Sequence, residues 1–402
     1  MKKPDYIALS RYHYELPDEK IATYPLEQRD RSRLLVYKNG GIEEGSFYDL
    51  GSFLRSGTQL VFNNSKVIHA RLQFKKATGA RIEIFCLEPS VPFDYQLNFA
   101  SQHSVEWKCI VGNSKKWKNE VLELTDRTGE YKIRAQRIGK EKNEELIKFS
   151  WEPGDFSFSE IIEIFGSTPI PPYLGREAEE SDSLTYQTVY SKHEGSVAAP
   201  TAGLHFTDDL LDKLKKRNIP MSEITLHVGA GTFTPIKVEN GMEHEMHVER
   251  FHIRKEELKI LISNSYHLTP IGTTSCRTLE SLYWMGVKLK TGFHPEECNF
   301  LEQFEAYDLD QDIKRKEALK EIFNYLEKTN REIFLGSTGI MITPGYKFRM
   351  TDALITNFHQ PRSTLLMLIA ALVGNKWRDI YNYALENNFR FLSYGDSSLL
   401  FP

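Results

Sequence analysis

GSVAAPTAGLHFTDDLLDKLKKRNIPMSEITLHVGAGTF, residues 195 to 233, is the stretch on which the fold turns. Ser196 to Gly203 carries too little side-chain volume to build a core, and Pro200 followed by Gly203 predicts a loop before Thr207 caps a helix. Asp208 and Asp209 fall in the first turn of that helix, where they suit the positive end of its dipole. Ile224, Leu226 and Val228 then alternate with Thr225 and His227, the period of a strand with one apolar face, and the strand runs into Gly229, Ala230 and Gly231. His227 is predicted to point away from the apolar face. Two runs of small residues thus each present a histidine, His205 and His227, beside backbone that a ligand can approach closely. A dinucleotide fingerprint is not met: GAGTFTP lacks the third glycine, and Pro235 stands where a phosphate-binding helix would begin.

The same design recurs downstream. In HLTPIGTTSCRTLESLYW, residues 267 to 284, Thr273, Thr274 and Ser275 follow Gly272 and are placed to cap a helix carrying Arg277 and Glu280, whose open backbone N–H groups suit a phosphate or carboxylate. In TDALITNFHQPRSTLLMLIAALVG, residues 351 to 374, a short apolar strand leads through a polar loop, Asn357 to Arg362, to Ser363 as N-cap of a nearly all-apolar helix. That helix is predicted to be buried, since its apolar run from Leu365 to Val373 is too short to cross a bilayer. Three such junctions predict one composite pocket, with Asn357 and His359 at the mouth of the third.

Around these junctions the texture changes. From about Lys66 to Glu152 the chain reads as short alternating segments, among them VIHARLQF, ARIEIFCL, VEWKCIVG and YKIRAQRI, separated by glycine, asparagine or charged turns. The expectation is a small antiparallel β-barrel, residues 66–152, inserted in an α/β catalytic domain made of residues 1–65 and 153–402. Ile313 to Leu326 has apolar residues at helical spacing amid lysines and glutamates, the pattern of an amphipathic packing helix.

With 402 residues, 40% hydrophobic and 26% charged, the chain belongs to the globular class and has length for about two or three domains. A net charge of -4 gives no global attraction to nucleic acid, so a polyanion would have to be held by local patches. Candidates are Arg29, Arg31 and Arg33 in QRDRSR, and Lys115, Lys116 and Lys118 around Trp117, a ring suited to stacking a base. The start MKKPDYIALS lacks the apolar core of a secretory signal, and Cys86, Cys109, Cys276 and Cys298 show no metal or redox spacing, so a reducing cytoplasm is expected. HEMHVE, residues 244 to 249, offers metal-ligand residue types without the spacing of a helical zinc motif; read as a strand it puts Glu245, His247 and Glu249 on one face and His244 on the other.

Taken together, YELPDEKIATYPLEQRDRSRLLVY, LVFNNSKVIHARL at 60 to 72, PIPPYLGR at 169 to 176, YQTVYSKHEGSVAAPTAGLHFT at 186 to 207, TLHVGAGTFTPIK, HEMHVE, IGTTSCRTLES, PGYKF, DALITNFHQPRSTLLML and FRFLSYGD closely resemble, in the same order, the S-adenosylmethionine:tRNA ribosyltransferase-isomerase family of queuosine biosynthesis. The resemblance covers nearly the whole chain. Departures are local: Cys276 and Gln360 stand where the family has aliphatic residues, Ser397 and Ser398 alter the segment after SYGD, GSTGIMIT (336 to 343) differs before PGY, and extra residues fall around 90 to 105 and 286 to 332.

The resemblance implies the two-domain arrangement and an enzyme, a transferase and isomerase. It would move the ribosyl unit of S-adenosylmethionine onto 7-aminomethyl-7-deazaguanine at the wobble position of tRNA, giving epoxyqueuosine and releasing adenine and methionine. S-adenosylmethionine would be a co-substrate rather than a prosthetic group, the partner a tRNA, with no metal and no membrane. A sulfonium acidifies the adjacent ribose carbon, so a base of near-neutral pKa can take that proton, and histidine suits such transfers. His205 and His227 are expected near the ribose, with Asp352 and His359 as alternative proton-transfer or orienting groups. Thr273, Thr274 and Arg277 are expected at the methionine carboxylate, Thr201, Gly203, Gly229, Gly231 and Asn357 at the nucleoside, and Arg29, Arg31 and Arg33 at RNA. The alternatives are an S-adenosylmethionine-dependent RNA methyltransferase and a non-catalytic tRNA-binding protein.

Overall fold

A computed structural model of the chain describes residues 1, 3–118, 120–141, 144–229, 238–263 and 267–402. It is a mixed α/β structure. Thr58–Asn63, buried along its whole length, is an inner strand of a six-stranded sheet: it pairs in parallel with Met221–His227 on one side and His267–Pro270 on the other. Beyond Met221–His227 the sheet continues through antiparallel Glu249–Arg254 and Ile333–Thr338 to Phe300–Leu301 at its edge. An all-buried strand flanked by parallel neighbours has both faces covered, which explains its lack of polar alternation.

Helix Gly272–Lys290 lies in the main core and is buried over most of its length, polar residues included. Its Glu280 is enclosed, and burial raises the carboxyl pKa. The carboxylate accepts from the Tyr346 hydroxyl and the backbone N–H groups of Arg349 and Met350, each at 2.9 Å, so the polar group is satisfied and fastens residues 346–350 to the helix. Gly286 lets helix Arg315–Lys328 approach: a Cβ there would stand 2.2 Å from the Ala318 carbonyl oxygen. This second helix buries Ala318, Leu319, Ile322 and Leu326 and is the packing helix expected over 313–326.

A four-stranded sheet in the order Leu354–Asn357, Ser397–Leu400, Arg33–Lys38, Gly41–Ser46 joins the two ends of the chain. Its Leu34, Val36, Ile355 and Leu399 share a core with Leu210 and Leu214 of helix Asp208–Lys216, whose N-cap Thr207 accepts from Leu210 N–H as expected.

Seven strands make a separate antiparallel sheet in the order Gly166–Ser167, Arg71–Lys75, Arg81–Val91, Ser104–Gly112, Glu144–Glu152, Lys132–Glu141, Leu122–Thr125. Their alternating residues enclose a core of their own around Trp107, Ile133, Phe149 and Phe158. Helix Phe158–Phe165, started by a Ser157/Glu160 capping box, contributes Phe158, Ile161 and Ile162 to that core. Among the described residues no ladder joins the two edge strands, 166–167 and 122–125.

Candidate functional site

The C-terminal end of Leu354–Asn357, the N-terminus of Gly272–Lys290, the turn Thr201–His205 and the irregular segment 244–248 converge on a cavity of about 660 Å³. That volume is in the range that holds a small organic ligand. Of the residues expected at a site, Thr201, Thr273, Thr274, Arg277, Asn357 and His359 line it. Gly203 does not: a Cβ there would meet the Tyr190 hydroxyl at 1.9 Å, so its bareness serves packing of the turn. Gly229 is absent from the lining, while its neighbour Val228 belongs to it. Gly231 lies outside the described residues.

One wall joins a helix N-terminus to the ion pair of Arg277 and Glu249. Helix Gly272–Lys290 begins directly at Gly272, at φ +84°, with Ile271 as an N-cap that supplies no side-chain bond. Thr273, Thr274 and Ser275 therefore occupy the first turn instead of capping it. The first N–H groups and the positive end of the dipole face the cavity at Gly272 to Thr274. One turn on, Arg277 is buried, ion-paired with buried Glu249, and donates through Nε to the Ile340 carbonyl at 3.2 Å. Its Nη2 has no hydrogen-bond partner among the described residues. At the third junction Ser363 caps helix Thr364–Val373 by accepting from Leu366 N–H at 3.1 Å, as expected.

The four candidate proton-transfer groups separate. His359 lines the cavity; its Nε2 meets Thr356 Oγ1 at 2.9 Å, its N–H donates to the Tyr381 hydroxyl, and its carbonyl accepts from Tyr14. Nδ1 makes no hydrogen bond among the described residues. His205 is buried behind the lining, with Nδ1 2.8 Å from Ser32 Oγ and Nε2 3.0 Å from Asn357 Nδ2. His227 does point away from the apolar face, but this turns it from the cavity: it stacks on Tyr95 of the seven-stranded unit at 4.2 Å. Asp352 is engaged elsewhere, in a bidentate pair with Arg315 at 3.0 and 3.2 Å and with Leu268 N–H at 2.8 Å. A carboxylate so used holds helix Arg315–Lys328 to the sheet.

Burial lowers the pKa of His205 and His227 to about 3, and of His252 and His359 to about 4, from an ordinary 6.5. Below pH 6.5 the unfolded chain binds protons that the folded chain refuses until its lower pKa values are reached. Stability is therefore full above that window and falls as pH drops through it. Melting temperatures taken from pH 7 to pH 4 decrease on this account; a constant or rising value through the window contradicts it.

Several lining residues were not among the expected site residues: Tyr173, Tyr186, His244, Met246, His247, Glu249 and Ser393. The strand reading of HEMHVE hid four of them. Residues 244–248 are irregular and the strand begins only at Glu249, so His244 and His247 border the same cavity. Among the described residues no group of three or more His, Cys, Asp or Glu side chains is arranged to hold a metal ion, and no helix is long and apolar enough to cross a membrane.

The expected RNA contacts are largely taken up inside the protein. Arg29 donates to the carbonyls of Gln187 and Leu184, and Arg33 pairs with Glu44 and covers the Phe389 ring at 3.8 Å. Arg31 is exposed, lying over Tyr48 at 4.8 Å. Trp117 is buried under Arg137 and donates to the Glu120 carbonyl, which removes it as a stacking platform.

The sequence profile of the queuosine biosynthesis proteins matches residues 9–400. The chain belongs to that family. It is 36% identical over 401 residues to the S-adenosylmethionine:tRNA ribosyltransferase-isomerase of Trichlorobacter lovleyi, covering 98% of this chain and 99% of that one. The protein of the same name from Thermotoga petrophila is 37% identical over 399 residues, with 98% and 99% covered. A solved structure, S-adenosylmethionine tRNA ribosyltransferase from Thermotoga maritima, aligns over 97% of this chain and 99% of its own at 28% identity, with a TM-score of 0.46.

Proposed function

We propose that the chain transfers and isomerises the ribosyl unit of S-adenosylmethionine onto 7-aminomethyl-7-deazaguanine at the tRNA wobble position, yielding epoxyqueuosine with release of adenine and methionine. Identity of 36 and 37% over nearly the full length to relatives that carry one enzyme name supports the activity. The observation in the fold that carries it is the meeting, in one cavity, of an anion wall and a neutral base. The open helix N-terminus at Gly272 to Thr274 with Arg277 suits the methionine carboxylate. His359 is neutral at pH 7 and directed by Thr356, which suits removal of the ribose proton beside the sulfonium; in the tautomer that donates Nε2–H to Thr356 Oγ1, Nδ1 carries the lone pair. Thr201 and Asn357 would border the nucleoside, and His205, His227 and Asp352 would act through neighbours as positioning groups.

We further infer that residues 66–152, with helix Phe158–Phe165 packed on them, are a curled, barrel-like insertion between residues 1–65 and 153–402. Its separate core supports this. Arg31 is the arginine of QRDRSR best placed for a tRNA phosphate. No bound prosthetic group or metal enters the scheme.

The test is product analysis. Incubated with S-adenosylmethionine and tRNA bearing 7-aminomethyl-7-deazaguanine, the protein is expected to yield a ribosyl-derived mass addition on the tRNA together with free adenine and methionine. S-adenosylhomocysteine as the product would establish a methyltransferase instead, and tRNA binding without donor consumption a non-catalytic protein.

A further inference from the structure

Asn357 ends the strand Leu354–Asn357 and lines the cavity, yet its buried Oδ1 has no hydrogen-bond partner among the described residues. Its Nδ2 donates to Nε2 of His205 at 3.0 Å. His205 is itself 4% exposed, does not line the cavity, and packs against Phe47 with ring centroids 5.0 Å apart. On its far side Nδ1 meets Ser32 Oγ at 2.8 Å.

Burial keeps the ring neutral at pH 7, with its pKa near 3. A neutral imidazole has one N–H and one lone pair. With the Asn357 amide in this orientation Nε2 accepts and the N–H is on Nδ1, beside Ser32 Oγ; the ring also meets the Arg29 backbone. Turning the Asn357 amide over would then set the Oδ1 lone pairs against the lone pair of Nε2. The Ser32–His205 pair thus selects which end of the amide is spent inside the protein and which remains for a ligand. An unpaired buried acceptor is unfavourable, so a ligand N–H or O–H that reaches it is favoured over a ligand that presents an acceptor or an apolar group there.

We propose that Asn357 is a specificity determinant of the cavity, its Oδ1 accepting an N–H or O–H donor of the nucleoside, and that His205 with Ser32 is the positioning pair that fixes this polarity. The proposal rests on the cavity being the S-adenosylmethionine site. Two donors of that nucleoside have the required chemistry, the exocyclic amine of the adenine and a ribose hydroxyl.

Equilibrium binding to the full chain separates them, using S-adenosylmethionine, its analogue with a 6-oxo purine and its 2′,3′-dideoxy analogue. The wild type is expected to bind one analogue about ten-fold more weakly than S-adenosylmethionine, the scale of one lost hydrogen bond; whichever is penalised names the donor. Asn357→Leu and His205→Phe are each expected to weaken S-adenosylmethionine by a similar factor and to abolish the discrimination. The double variant is expected to be no weaker than Asn357→Leu alone, because both changes remove one device. His205→Gln, which can present an amide oxygen to Asn357 Nδ2, is expected to restore discrimination, an outcome that a purely structural role would not give. Losses that add in the double variant, discrimination intact in His205→Phe, or a wild type indifferent to both analogues overturn the proposal. If His205→Phe does not fold, Ser32→Ala carries the same test: with its side-chain partner gone and only the Arg29 backbone named beside the ring, the proton is held less firmly on Nδ1 and the amide can turn more readily. Discrimination is then expected to fall, and its persistence overturns the pair's role. A wild type that binds no S-adenosylmethionine overturns the functional reading as well, whereas tight binding with no analogue preference overturns the acceptor role alone.

Discussion

Replacing His359 by alanine is expected to lower kcat by about 10²- to 10⁴-fold, the range for loss of a positioned proton-transfer group, while changing the Kd of S-adenosylmethionine only a few-fold. The expectation follows from its place. His359 is the candidate histidine that lines the cavity, its Nε2 is held by Thr356, and burial lowers its pKa to about 4, so the basic form prevails at neutral pH. A weaker base than free histidine loses some driving force but is never idle through protonation at pH 7. Single-turnover adenine release from preformed enzyme–donor complex isolates the chemical step. Near-normal release in His359→Ala removes this residue from proton transfer.

Arg277→Met is expected to cost about 3–5 kcal/mol of stability and also to weaken donor binding. The side chain is 8% exposed and its partner Glu249 6% exposed, so the substitution leaves a buried carboxylate without its counter-charge. Arg277→Met combined with Glu249→Gln separates the two effects. Removing both charges is expected to recover most of the melting temperature. Donor affinity should stay low, because the helix N-terminus at Gly272 then holds the methionine carboxylate without Arg277. Wild-type affinity in the double variant would mean that Arg277 serves only the fold.

How much of this was legible in the sequence depended on whether the signal was local. Thr207 and Ser363 announce helix starts by residue type, and alternation in Ile224 to Val228 gives the strand and the direction of His227, because caps and strand period are short-range rules. What lies on the other side of His227 is set by the antiparallel unit, whose Tyr95 is more than a hundred residues away in sequence; no local pattern tells a ligand from a tyrosine ring there. Asp352 and His205 fail to line the cavity for the same kind of reason: Arg315 and Ser32, distant in sequence, claim their polar atoms first. HEMHVE misled because alternation of polar and apolar residues predicts a strand, whereas the chain stays irregular until Glu249. Once the strand is withdrawn, His244 and His247 no longer oppose one another. The arginines of QRDRSR look alike in sequence, yet two of the three are spent on Gln187, Leu184 and Glu44.

Transfer of label from a doubly marked donor tests the central claim most directly. S-adenosylmethionine carrying one isotope in the ribose and another in the S-methyl group is incubated with the protein and tRNA containing 7-aminomethyl-7-deazaguanine. The ribose label is expected in the tRNA and the methyl label in free methionine, with both slowed in step with kcat in His359→Ala. Methyl label in the tRNA, or ribose label left entirely in small molecules, would contradict the account.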